Sequence, residues 1–186
     1  ADGVEDTSQN DLLTRLEQIN PGKTEASAYE QICVEILKYV FGEYLSLWRE
    51  QQNSNEGLYR FDLCCKVKHG DNHEFFDTLK HFFNTKYVVF EFKNYTDLIT
   101  QREIYTTEKY LYKTALRCVA IIVSRKGADN NALMAAKGCL RENGKLILCL
   151  SDEDLRNLVN LKLSEEKPTA EVLSDMLDDM LINLEK

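Results

Sequence analysis

The sequence predicts an α/β fold, a mixed central sheet flanked by helices on both faces. Three observations predict it. Near-continuous apolar runs at Tyr87–Phe92, Cys118–Ser124 and Lys145–Leu150 read as strands buried on both faces. Stretches of helical periodicity separate these runs, so residues 87–150 supply two right-handed strand–helix–strand crossovers. Ahead of them stand a long amphipathic helix and strands separated by short turns, the pattern of an antiparallel extension to the same sheet.

Taken in order, Asp11–Ile19 is a short polar helix ended by Pro21-Gly22. Ser27–Phe41 is a helix whose only polar stripe is Gln31, Glu35 and Lys38, so it should be largely buried. Tyr44–Gln51 reads equally as a strand or a helix extension. Asn53–Gly57 is a turn, Leu58–Val67 a strand and His69–Asn72 another turn. Glu74–Phe83 is a helix with Phe75, Leu79, Phe82 and Phe83 on its apolar side. Thr100–Ala115 is a helix opened by a capping box of Thr100 with Glu103. Asn130–Arg141 is the next helix. Ser151–Leu161 begins with an N-cap serine and acidic first-turn residues, and Thr169–Leu184 is the last helix.

Composition sets bounds on function. The 186 residues are 44% apolar and 29% charged, as expected of one globular domain with a sizeable core. No apolar run approaches the ~20 residues of a membrane span. The chain opens without Met and without a basic or apolar leader, so it is read as a domain of a longer protein and not as a signal peptide. The six cysteines form no Cys-x-x-Cys pair and sit mostly in apolar stretches. They read as buried thiols in a reducing compartment, the cytoplasm, not as zinc ligands. Net charge is −8, but residues 1–30 carry −5 and residues 151–186 carry −6, which leaves +3 for residues 31–150. Six cations stand between Arg102 and Lys126 against two acids. That stretch can face a polyanion, or it can simply solvate a helix face.

The chemistry-bearing pattern lies in YVVFEFKNY, residues 87–95. Alternate side chains of a strand share a face about 6.6 Å apart, so Glu91 and Lys93 point one way and Phe90 and Phe92 the other. A carboxylate and an ammonium at the end of an apolar strand are costly to bury without a partner or a purpose. Upstream, RFDLCCKV places Asp62 within a second apolar strand. If the two strands pair, Asp62 and Glu91 converge on one hard cation, Mg²⁺ or Mn²⁺, with Lys93 alongside. The plainer reading is an ion pair at a sheet edge, because Glu-x-Lys is a common triplet. The three histidines follow no ligand spacing, and no glycine-rich phosphate loop is present.

Three stretches together, ASAYEQICVEILKYVFG (26–42), GLYRFDLCCKV (57–67) and YVVFEFKNYTDLIT (87–100), resemble the Mrr-like branch of the restriction-endonuclease-like nucleases. The resemblance extends more loosely to Leu150. It implies a restriction-endonuclease-like mixed central sheet and a metal-dependent phosphodiesterase site with Asp62, Glu91 and Lys93 as its catalytic residues. The helix acid of that superfamily maps to Glu30, which the resemblance adds to Asp62 and Glu91 as a ligand through a metal-bound water. A capping box of Ser27 with Glu30 is the alternative for that residue. Phe61 stands where the superfamily motif often has proline. Asn94 and Tyr95, just after Lys93, together with Gln101 and Arg102, are the candidate substrate contacts. On this reading residues 1–22 are a polar N-terminal segment, residues 23–150 the nuclease core, and residues 151–186 acidic helices packed on the same domain. The implied partners are DNA, a fused or associated sensor domain and a second copy of the chain, without a membrane. The implied role is the effector of a restriction or phage-defence protein. Two other readings remain at this stage: the same fold without catalysis, binding nucleic acid or a protein partner, and a scaffold domain with a structural ion pair.

Overall fold

The computed structural model describes residues 5–50 and 61–185, with side chains from residue 11 onward. The expected turn at Asn53–Gly57 and the first residues of the expected strand Leu58–Val67 lie outside these. Seven helices and five strands are present among the described residues. In chain order they are α1 (Glu5–Gln18), α2 (Ala26–Phe41), β1 (Leu45–Glu50), β2 (Leu63–Val67), α3 (Glu74–Phe82) and β3 (Tyr87–Lys93). Then follow α4 (Gln101–Glu108), β4 (Val119–Ser124), α5 (Asn130–Asn143), β5 (Leu146–Leu150), α6 (Asp152–Ser164) and α7 (Ala170–Ile182).

The strands form one sheet in the order β1-β2-β3-β4-β5. β1–β2 and β2–β3 pair antiparallel, while β3–β4 and β4–β5 pair parallel through the crossovers of α4 and α5. The mixed sheet expected from the apolar runs is therefore observed, and β3 is its centre. Every residue of β4 is buried, which is why its sequence, VAIIVS, shows no alternation.

The two faces are covered unequally. Val88, Phe90, Phe92, Ile121, Val123 and Leu148 pack on one side against α2, α6 and α7 in a large core. α2 buries Ile32, Ile36, Leu37 and Val40 there and exposes Gln31, Glu35 and Lys38, the stripe its sequence predicts. α6 and α7 contribute Leu155, Leu158, Leu173 and Leu177 to the same core. On the other side Val89, Ala120, Ile122 and Ile147 meet α4 and α5 in a smaller core with Ile99, Ile104 and Leu111.

Three local expectations need correction, and one open reading is resolved. α4 carries the predicted capping box but stops at Glu108 and not at Ala115. Leu111 turns inward to a fully buried position, and Tyr112 bridges Arg117 in an extended loop, so tertiary burial overrides helix propensity there. Phe82, expected in the core, is 84% exposed, and Phe76 takes its place against Phe75. Asp62 is not within a strand: β2 begins at Leu63, and Asp62 sits in the bend before it. The ambiguous Tyr44–Gln51 segment resolves as a strand, with an irregularity between Ser46 and Arg49 where Leu47 and Trp48 adopt positive φ.

Candidate active site

The site is built where β3 runs out of the sheet. Glu91 and Lys93 follow Val89 on the face of the smaller core, and Lys93 Nζ stands 3.8 Å from Glu91 Oε2. The register pairs Leu63 with Phe90, which brings the preceding Asp62 alongside Glu91 and Phe92. Asp62 Oδ2 accepts a hydrogen bond from the Phe92 backbone N–H at 2.8 Å. The carboxylate thus takes over where the β2 ladder ends, and its position is fixed by the strand that carries Glu91.

Glu91 is only 3% exposed, and among the described residues its Oε1 meets no hydrogen-bond partner. Burial, first, and then the Asp62 charge push its pKa up to about 9. Lys93 pulls it back, while a hydrogen bond with Asp62 and the charge of Glu30 push further upward. Without a cation, the raised pKa favours the protonated form of Glu91 at neutral pH. A hard divalent ion can replace that proton and answer the orphan oxygen. On donor chemistry, Asp62 and Glu91 fit such an ion. No three acidic, histidine or cysteine side chains among the described residues form a ready-made cage, so most of its coordination would come from water.

Glu30 enters from α2. The Ser27–Glu30 capping box is not formed, because the helix already begins at Ala26 with Glu25 at its N-cap. Glu25 instead accepts a bond from the Asn20 backbone N–H at 2.6 Å. Glu30 is half-buried and acts on Glu91 through its charge, so the helix acid and the strand acids do share one electrostatic neighbourhood.

The expected substrate contacts separate into three groups. Tyr95 and Arg102 line an open cleft of about 850 Å³ beside Lys93, with Lys23 also on its wall. Gln101 lies outside this cleft, on a separate groove between α4 and α5 with Tyr105 and Asn131. Asn94 also lines the cleft, but its side-chain amide is engaged by protein groups. It is 5% exposed, its Nδ2 donates to the Asn20 and Gly22 carbonyls at 2.9 Å each, and its Oδ1 accepts from Arg125 at 3.1 Å. Its own carbonyl accepts from the Gly22 N–H, and Gly22 has a φ of +123° that a side chain would resist. Asn94 fastens the α1–α2 turn to the end of β3.

Arg125, the centre of that fastening, was not singled out by sequence. It follows β4, and its Nε donates to Asp152 Oδ2 at 2.7 Å. Its other nitrogens donate to the Ile19 and Leu16 carbonyls, and its guanidinium lies 5.0 Å from the Tyr29 ring centroid. Tyr29 Oη donates to Asp152 Oδ1 at 2.9 Å. Tyr29 is fully buried, so it packs and also bonds. The signal was available: a cation directly after a buried strand is the same pattern that marks Lys93. Asp152 was read only as a helix-start acid.

The arrangement defines a class of site: one buried and one half-buried carboxyl group and an ammonium at the end of a central strand, beside an open cleft. No family model matches the chain, and no curated protein matches it. Among solved structures it is similar to the MspJI restriction endonuclease in complex with a 27-mer oligonucleotide, with a TM-score of 0.47 and 12% sequence identity. That likeness spans 99% of this chain and 37% of the other.

Proposed function

We propose that this chain is a metal-dependent nuclease domain that hydrolyses phosphodiester bonds in DNA. The observation that carries the proposal is the buried, unanswered oxygen of Glu91 beside Asp62, with Lys93 within 4 Å. Asp62 and Glu91 would hold Mg²⁺, or Mn²⁺ in its place, and Glu30 would act from α2 on a water in that shell. When bound, the ion supplies an acidified water and charge neutralisation at the phosphate. Lys93 has a narrower task, to hold a proton-bearing ammonium next to the reacting phosphate and favour its developing negative charge. Tyr95 and Arg102 on the cleft wall contact the strand being cut. The resemblance of residues 26–42, 57–67 and 87–100 to restriction-endonuclease-like nucleases supports this reading. It extends it to an effector in restriction or phage defence, working with a sensor domain and as a dimer.

Plasmid cleavage with Mg²⁺ or Mn²⁺ tests the proposal. Glu91→Ala and Lys93→Ala are each expected to lower the rate by at least about 100-fold, comparable to removal of one preorganised electrostatic group. Equal cleavage by the wild type and both variants would refute it. The lack of a third ready ligand favours one alternative, a nuclease fold that binds nucleic acid without cutting it. Duplex binding with no cleavage under either metal would select that alternative.

A further inference from the structure

The two faces of the sheet differ in one more respect. α4 and α5 cover β3, β4 and β5, but no residue of β1 or β2 belongs to the smaller core they make. On this side β2 presents Cys64 and Lys66, which the register places level with Val89 and Tyr87. β1 adds Arg49, directly opposite Cys64. Among the described residues no helix covers this face of the β1–β2 pair, and two of its side chains, Arg49 and Lys66, are cations.

Arg117 joins them from the loop before β4. Its charge acts on Cys64 together with that of Arg49, and its guanidinium lies 5.3 Å from the Phe61 ring centroid and 5.5 Å from that of Tyr112. None of these three cations pairs with a carboxylate among the described residues. Glu50, the nearest acid of β1, pairs with Leu63, whose side chain is in the large core, so it points to the other face. A protein of net charge −8 has thus gathered a cationic strip with no carboxylate partner among the described residues. Its β2 cation, Lys66, stands four residues, roughly 13 Å along the strand, from Asp62.

We infer that this strip, Arg49, Lys66 and Arg117 along the open face of β1–β2, is a docking surface for the phosphate backbone of a nucleic-acid duplex leading to the candidate active site. The inference rests on the nuclease reading for its choice of polyanion. Charge complementarity favours a polyphosphate ligand: the Arg117 guanidinium is propped on two aromatic rings, which holds it in place without neutralising it. Backbone contacts of this kind position a duplex without reading its sequence.

The test is fluorescence anisotropy of a labelled DNA duplex with the whole chain, in EDTA so that cleavage plays no part. Arg49→Gln/Lys66→Gln is expected to weaken binding by roughly tenfold or more and to flatten the salt dependence of log K by about two units of slope. Lys167→Gln, on the α6–α7 connection, should bind as the wild type does. Equal binding by wild type, double variant and control would overturn the inference. So would retention of the wild type on anionic lipid vesicles but not on the duplex. Glu91→Gln separates the two proposals. Cleavage lost in Glu91→Gln with duplex binding kept, alongside weakened binding by Arg49→Gln/Lys66→Gln, supports both. Cleavage kept in Glu91→Gln while the double variant loses binding overturns the nuclease reading and leaves the surface standing.

Discussion

Two buried charged clusters lie at the same end of the sheet, one after β4 and one at the end of β3, and they are built on opposite rules. Around Arg125, each group is answered. The guanidinium donates to one carboxylate, one amide oxygen and two backbone carbonyls, and the carboxylate it meets also takes the Tyr29 hydroxyl. Around Glu91, two carboxyl groups share a space with a single ammonium 3.8 Å away, and one oxygen has no partner among the described residues. A buried polar group left unanswered costs on the order of 1–3 kcal/mol. The first cluster resembles a clasp and the second a site awaiting a ligand. The difference is one of satisfaction, since both are buried and both are charged.

The largest effect should come from the clasp. Arg125→Ala leaves Asp152 buried without its cation and releases two backbone carbonyls. It is expected to cost about 3–5 kcal/mol of stability, the range for breaking a buried pair from one side. Urea denaturation of the variant against wild type measures this. A loss below about 1 kcal/mol would put the pair in the class of exposed ion pairs and remove the contrast.

Next in size is the acid of the site itself. The folded-state pKa of Glu91 is raised from 4.5 to about 9, so between those values the folded protein keeps a proton that the unfolded chain has lost. Its contribution to stability is fully present below pH 4.5 and falls as pH rises toward 9. Glu91→Gln removes that dependence. The variant should match wild type near pH 4.5 and exceed it by a margin that grows toward pH 9, in the absence of divalent metal. Mn²⁺ should then stabilise the wild type at high pH and Glu91→Gln much less, because the variant has lost one of the two carboxylates that would hold the ion. A pH-independent difference between the two proteins would mean that Glu91 is not held protonated.

Much of this was legible in the sequence, and the parts that were not share a cause. β3, β4 and β5 announced themselves because strands buried on both faces have no choice of residue type. Glu91 and Lys93 stood out for the same reason, as charges in an apolar run. Asp62 was identified as a residue but misplaced by one step of structure, because the apolar residues around it extend past the point where the β2 ladder ends. The structural bonds of Asn94 could not be read from its sequence adjacency to Lys93, which says nothing of direction. At the end of a strand the next side chain turns to the other side, here into the α1–α2 turn. The clasp could not be seen as a unit, since Tyr29, Asn94, Arg125 and Asp152 come from four separate elements and only folding brings them together. The cationic strip is the same case: Arg49, Lys66 and Arg117 are unremarkable singly in sequence and become a surface only through register.

Asn94 offers a sharper test of the boundary between the two clusters, since it touches the clasp and follows Lys93 directly. Asn94→Ala should cost about 1–2 kcal/mol of stability, for two carbonyls and one guanidinium contact left unmade. The rate of cleavage per folded molecule should change little. A selective loss of cleavage without loss of stability would return Asn94 to the substrate.

The smallest expected effect belongs to Glu30, and it bears on how far the site extends. Its charge is the last of the influences that raise Glu91, after burial, the Asp62 charge and the hydrogen bond with Asp62. Glu30→Gln should therefore lower the pH at which Glu91 gives up its proton, by less than about one unit, or under ~1.4 kcal/mol. Metal binding must release that proton, so Mn²⁺ affinity should rise with pH in both proteins. If Glu30 acts only by its charge, the variant gains an easier deprotonation of Glu91 but loses direct attraction for the dication, and any difference in Mn²⁺ affinity should shrink in high salt. If Glu30 holds a water of the metal's shell, the variant binds more weakly and the difference persists in high salt. Calorimetric titration of Mn²⁺ at low and high ionic strength reads this directly, and the persistence of the difference decides whether α2 belongs to the metal site or only to its electrostatic surroundings.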